Sequence, residues 1–274
     1  MDIKLIATDL DGTLLTKDKK LSAKNAESLK LAADKGLYIV PATGRPWVGV
    51  CEELKKMSFI RYALVMNGAM VWDSHEQKAI YKSSFTTEQA LMLWDYVQKY
   101  NTMTDAHVGG VGRISPYYYD NCEEYVESAA IAVLLRATRI KADDVRKLIS
   151  ESPQGAEKIN LTFKDINERD SAIEELKQFD FAIATSSVSN NIEINHINAT
   201  KGKALAALAE HLGIDMSQVM AFGDSGNDIS MIERAGFGVA MGNACTSIKE
   251  KASFITLDNE NDGVAYAIGK YILD

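Results

Sequence analysis

The chain has 274 residues, 46% hydrophobic and 25% charged, with a formal net charge of −8; that is ordinary material for one large or two modest soluble domains. An acidic balance with no long basic run argues against nucleic acid or an anionic membrane as the main partner, and no apolar run reaches the length of a membrane span. Cys51, Cys122 and Cys245 are odd in number and lack CxxC spacing; with no signal peptide opening the chain, they read as free thiols of a cytoplasmic protein.

The first element carries the most chemistry. Lys4-Leu5-Ile6-Ala7-Thr8 is a short apolar run that reads as a buried strand, and it leads into Asp9-Leu10-Asp11-Gly12-Thr13-Leu14. In extended backbone, residues i and i+2 point the same way, so Asp9 and Asp11 are expected on one side of the strand end, with Gly12 making the turn. Two carboxylates held that close repel unless a proton or a cation intervenes. A hard divalent ion with oxygen ligands, Mg2+ before others, resolves the repulsion. The bland alternative is an Asp-Gly turn with Asp9 as a cap.

Ser22 then caps a helix to about residue 35, closed by Gly36, and residues 37–40 form a second strand that runs into Pro41-Ala42-Thr43-Gly44-Arg45-Pro46. Strand, helix, strand at this spacing implies a parallel pair. Residues 62–66 form a third strand, Asn67-Gly68 a hairpin turn, and residues 70–72 and 79–82 the returning strands. From about Ser84 the texture changes. Thr86 and Gln89 make a capping box for a helix to about residue 100. Strands alternate with helices expected near 121–129, 142–151 and 167–178, before a hairpin of 181–185 and 192–196. The parallel texture resumes with a helix over 201–212, a strand over 219–222 and the turn Gly223-Asp224-Ser225-Gly226-Asn227-Asp228. A helix to about 235, strands at 239–240 and 254–256, and helices over 246–251 and 262–272 follow. The pattern predicts an α/β fold: a Rossmann-like open parallel sheet from residues 1–83 and 191–274, interrupted by an α+β insert over 84–190.

Ligands of open α/β sheets bind outside the carboxyl ends of the strands, where Asp9-Leu10-Asp11, Thr43-Gly44 and Gly223-Asp224 would converge. Thr43 and Gly44 offer a hydroxyl and unobstructed N–H groups suited to an anion. Lys201, a cation in the first turn of a helix, opposes the helix dipole and makes sense where a phosphate binds. Asp224 would complete an oxygen cage. In the insert, His107, Arg113 and Tyr117 to Tyr119 are polar and aromatic candidates whose simplest roles are packing and surface. His75, His196 and His211 show no metal-ligand spacing.

Taken in order, Asp9-Leu10-Asp11-Gly12-Thr13-Leu14, Thr43-Gly44-Arg45, Lys201 and Gly223-Asp224-Ser225-Gly226-Asn227-Asp228 resemble the four motifs of the haloacid dehalogenase superfamily. The insert lies where Cof-type hydrolases carry a C2 cap. The resemblance implies an Mg2+-dependent phosphatase acting on small phosphorylated metabolites, sugar phosphates first. Asp9 would be the nucleophile that forms an aspartyl-phosphate, and Asp11 the general acid and base. Mg2+ would be held by the side chains of Asp9 and Asp224 and the backbone carbonyl of Asp11. Leu10, Thr43, Gly44, Lys201 and Asn227 would lie at the phosphate, and Asp228 would support Lys201 or the metal from outside. The cap would close over the site and read the leaving group. A phosphomutase of related cap type and a non-catalytic regulator that binds a phosphorylated ligand are the competing readings. The oligomeric state is open.

Overall fold

A computed structural model describes residues 2–186 and 188–273. The chain divides into two compact units, one of residues 1–44, 50–82 and 200–274, the other of residues 45–49 and 83–199. Among the described residues no helix is long and apolar enough to cross a membrane.

The first unit is built on a parallel sheet. Its strands run, edge to edge, Phe254–Ile255, Phe237–Ala240, Val219–Gly223, Leu5–Thr8 and Tyr38–Pro41. Leu5–Thr8 is buried along its whole length, which its unbroken apolar run requires. It pairs in parallel with Val219–Gly223 on one side and Tyr38–Pro41 on the other, with Thr8 level with both Phe222 and Pro41. The loops opening at Asp9, Ala42 and Asp224 therefore leave the sheet at the same edge. Ser22 caps the Ala23–Asp34 helix by accepting from the Asn25 N–H. Tyr62–Val65, Met70–Asp73 and Lys78–Lys82 form a separate antiparallel sheet.

The second unit has its own sheet, ordered Ala182–Thr185, Asn191–His196, Lys158–Phe163, Thr102–Val108, Val111–Ile114 and Arg139–Lys141. One face carries Ala106, Ile159, Leu161, Phe163, Ile192 and Ile194 into an apolar cluster with Leu93, Trp94, Ile149 and Leu176, contributed by helices. The other face presents Asp105, His107, Lys158, Asn160 and Glu193, which alternate with the apolar set. The expected capping box is present: Thr86 accepts from the Gln89 N–H and Gln89 from the Thr86 N–H. Thr86→Ala is expected to cost about 1 kcal/mol, read as a lower urea midpoint at an unchanged m-value; an unmoved midpoint would show that the box adds nothing.

Three expectations are corrected here. The core does not resume at 191, because Asn191–His196 pairs antiparallel with both Lys158–Phe163 and Ala182–Thr185 and so belongs to the insert's sheet. No helix covers 121–129. Ser115 and Pro116 start a short helix earlier, Pro116–Asp120. Ser128 then caps a new one, Ala129–Thr138, by accepting from the Ile131 N–H. The last predicted helix is also shorter: Gly263–Ile268 gives way to a π-helical turn over Gly269–Leu273.

Candidate active site

Asp9 is the first residue past the Leu5–Thr8 strand. Its N–H still bonds the Phe222 carbonyl at 3.0 Å, which keeps the loop attached to the neighbouring strand. The chain then tightens, with the Leu15 N–H bonding the Leu10 carbonyl and the Leu14 N–H the Asp9 carbonyl. The strand ends at Thr8, so alternation no longer fixes the directions of Asp9 and Asp11. The Asp9 carboxylate is buried, whereas Asp11 is ion-paired to Lys19 at 2.8 Å with about a third of its side chain exposed.

The partners of Asp9 come from the far end of the chain. Lys201, fully buried, sits in the first turn of the Lys201–Leu212 helix. Its ammonium donates to Asp9 Oδ1 and to Asp228 Oδ1, each at 2.6 Å. Burial alone would lower its pKa, but Asp228 and Asp9 outweigh that and hold it above the ordinary lysine value. The position at a helix N-terminus, unfavourable by dipole alone, is thus explained by two carboxylates. Asp228 Oδ2 in turn accepts the N–H groups of Asp224 and Ser225, each at 3.0 Å, so this carboxylate shapes its own loop as well as pairing with Lys201.

Asp224 accepts from Thr13 Oγ1 and Ser225 Oγ, each at 2.9 Å. Gly12 makes room for it: its φ of +90° is open to glycine, and a Cβ there would stand 2.6 Å from Asp224 Oδ2. Burial and the nearby Asp228 raise the Asp224 carboxyl above its usual range. Asp9 is raised well above it, by burial first, with Lys201 opposing and Asp228 and Asp224 adding. Carboxylate oxygens of Asp9, Asp224 and Asp228 all lie within 4.8 Å of one another. Three crowded, desolvated carboxylates facing one lysine form a donor set that fits a hard divalent cation. Among the described residues Asp228 lies in this cluster and pairs with Lys201, the support expected of it. The Asp11 side chain does not join the cluster.

The anion-binding candidates lie at the same edge. Thr43 is buried, its N–H bonded to the Leu64 carbonyl and its carbonyl accepting the Asn67 N–H. Gly44 follows it, and Leu10 is fully buried beneath the first loop. Asn227 donates through Nδ2 to Asn67 Oδ1 at 3.1 Å. Four contributors escaped the sequence reading. Thr13 and Ser225 stood inside the quoted motifs without a role, Asn67 was read only as a turn former, and Asn243, which donates to the Gly12 carbonyl at 2.8 Å, left no sequence signal. In the other unit, His107 is fully buried and burial, then Arg139 and Lys158, push its pKa well below the usual value. Tyr117 is exposed, while Tyr118 and Tyr119 pack against the cluster around Met103 and Tyr125.

Comparison with known proteins gives the same direction. Residues 6–268 match the family described as haloacid dehalogenase-like hydrolase. The chain is 35% identical to a 5-amino-6-(5-phospho-D-ribitylamino)uracil phosphatase of Bacillus subtilis, over 100% of this chain and 97% of that one. It is 27% identical to a pyridoxal phosphate phosphatase of Escherichia coli, with both chains covered fully. A haloacid dehalogenase-like hydrolase structure from B. subtilis superposes with a TM-score of 0.85 at 27% identity, covering 98% of this chain and 100% of that one.

Proposed function

The chain belongs to the haloacid dehalogenase-like hydrolases, phosphoric monoester hydrolases of the Cof type among them, and on that premise we propose an Mg2+-dependent phosphatase of small phosphorylated metabolites working through an aspartyl-phosphate on Asp9. The observation that carries this reading is the Lys201 ammonium bridging Asp9 and Asp228 next to Asp224.

The Asp9 carboxylate attacks phosphorus, and the bond from phosphorus to the ester oxygen breaks. Asp11, once freed from Lys19 and protonated from solvent, gives that proton to the departing alkoxide; as a carboxylate it then takes a proton from the water that hydrolyses the acyl phosphate, releasing inorganic phosphate and restoring Asp9. Lys201 holds Asp9 in place and brings positive charge to the phosphoryl oxygens. Thr43, Gly44 and Asn227 donate to those oxygens, and Leu10 lines the same loop. Mg2+, held by Asp9 and Asp224 side chains and the Asp11 carbonyl with Asp228 behind them, would offset repulsion between the anionic nucleophile and the anionic substrate.

The two relatives named above act on phosphate monoesters of primary alcohols. We extend that class, sugar phosphates included, to this chain. The inserted unit is read as the C2-type cap of this family. Cys51, Cys122 and Cys245 form no disulfide with one another, which suits the cytoplasmic setting we propose.

The test is phosphate release across sugar, nucleotide and cofactor monophosphates, with and without Mg2+. Release from at least one alkyl phosphate, abolished by chelation, is expected; binding without turnover across the panel would instead favour a regulator. Asp224→Asn should raise the Mg2+ concentration for half-maximal rate on the order of a hundredfold. A variant with an unchanged Mg2+ dependence would remove Asp224 from the metal site.

A further inference from the structure

We propose that Asn67 is a positioning residue of the phosphate site: its side chain orients the carboxamide of Asn227, and its backbone holds the Thr43 loop. The proposal rests on the reading of Asn227 and Thr43 as donors to phosphate.

The sequence gives Asn67-Gly68 a simple task, turning between the Tyr62–Val65 and Met70–Asp73 strands. The conformation goes further. Met66, Asn67 and Gly68 have φ of 51°, 59° and 89° in succession, and all three are buried. Left-handed backbone is costly for a residue such as Met and least so for Asn and Gly. A strained segment at the carboxyl edge of the sheet persists only when its surroundings hold it.

Three contacts account for it. The Asn67 N–H donates to the Thr43 carbonyl at 3.0 Å. Asn67 Oδ1 accepts from Asn227 Nδ2 at 3.1 Å. Gly68 passes so near the next loop that a Cβ would stand 2.3 Å from the Thr200 carbonyl oxygen, one residue before Lys201. One tripeptide therefore touches the segments that carry Thr43, Asn227 and Lys201.

The Asn227 carboxamide points to what this arrangement serves. Its Nδ2 carries two hydrogens, of which Asn67 Oδ1 takes one; its Oδ1 is buried with no donor among the described residues and, as an acceptor, takes no part in holding an anion. Asn67 grips the other end of the same planar group. With one Nδ2 hydrogen committed to Asn67, the second is fixed in direction before any phosphate arrives, and no side-chain freedom remains to be lost on binding.

Inhibition by inorganic phosphate in the presence of Mg2+ tests this in the full chain, comparing wild type, Asn67→Gly, Asn227→Ala and the double variant. Glycine keeps the left-handed backbone and the N–H to Thr43, and removes only the side chain. Asn67→Gly is expected to raise the inhibition constant about fivefold, the worth of one hydrogen bond. The double variant should bind phosphate no more weakly than Asn227→Ala alone, since Asn67 acts through Asn227. Additive effects, or a lower melting temperature with an unchanged inhibition constant, would overturn the proposal. If Asn227→Ala leaves phosphate inhibition unchanged, the reading of Asn227 itself falls and the proposal with it. A measurement without variants guards against misfolding: adding phosphate to wild type should shift the side-chain amide resonances of Asn67 and Asn227 together, and a stationary Asn67 amide would count against the role.

Discussion

Asp9→Asn is expected to lower turnover by at least about four orders of magnitude, because an amide does not attack phosphorus, while the protein stays folded. The second half follows from the environment. Burial and two neighbouring carboxylates push the Asp9 carboxyl well above its ordinary pKa, so the folded protein disfavours a charge there. A neutral side chain of the same shape removes that penalty, and Lys201 keeps Asp228 as a partner. The melting temperature without metal should therefore hold or rise. Steady-state phosphate release and a thermal melt on one preparation decide it. Activity within tenfold of wild type would refute Asp9 as nucleophile, and collapse of the melt would show that the charge itself maintains the fold.

Lys201→Met should do the opposite to stability. Methionine fills similar space but leaves Asp9 and Asp228, both buried, without their shared cation. Breaking a buried pair from one side costs about 3–5 kcal/mol, and turnover should fall at least about a thousandfold with the loss of charge at the phosphoryl group. The sign of the pH dependence follows. Burial raises the Asp9 carboxyl and Lys201 opposes that rise, so without the ammonium the folded state holds its proton to higher pH than the unfolded one. The deficit is then smallest near pH ~4 and deepens as pH rises. Denaturant midpoints from acid to neutral pH test this; a deficit that shrank on raising the pH would contradict it.

These effects come from residues that were legible in the chain itself. Asp9 and Asp224 announced themselves as charged turns ending apolar strands, which parallel pairing levels at one edge, and Lys201 as a cation in the first turn of a helix, where it opposes the dipole. Directions of side chains were harder to read. Alternation predicts a shared side for Asp9 and Asp11 only while the backbone stays extended, and nothing local marks Thr8 as the strand's end. Asn67 escaped for a related reason: Asn-Gly satisfies a hairpin, so its second task, toward Asn227, is invisible without the tertiary contact. The end of the insert was misplaced because the boundary at 191 cuts the expected hairpin of 181–185 and 192–196 in two, whereas the antiparallel partners of Asn191–His196 keep it in the insert's sheet.

The central position of the first strand has a bearing on synthesis. Leu5–Thr8 finds one neighbour early, in Tyr38–Pro41, but its other neighbour is Val219–Gly223. During translation at roughly 5–20 residues per second, the strand's second edge stays bare for about 10–40 s while the intervening chain is made. A short, mostly apolar strand with open backbone groups invites pairing with other chains over that interval. The nascent protein should accordingly depend on factors that shield exposed strand edges, and on slow growth, far more than the finished one does.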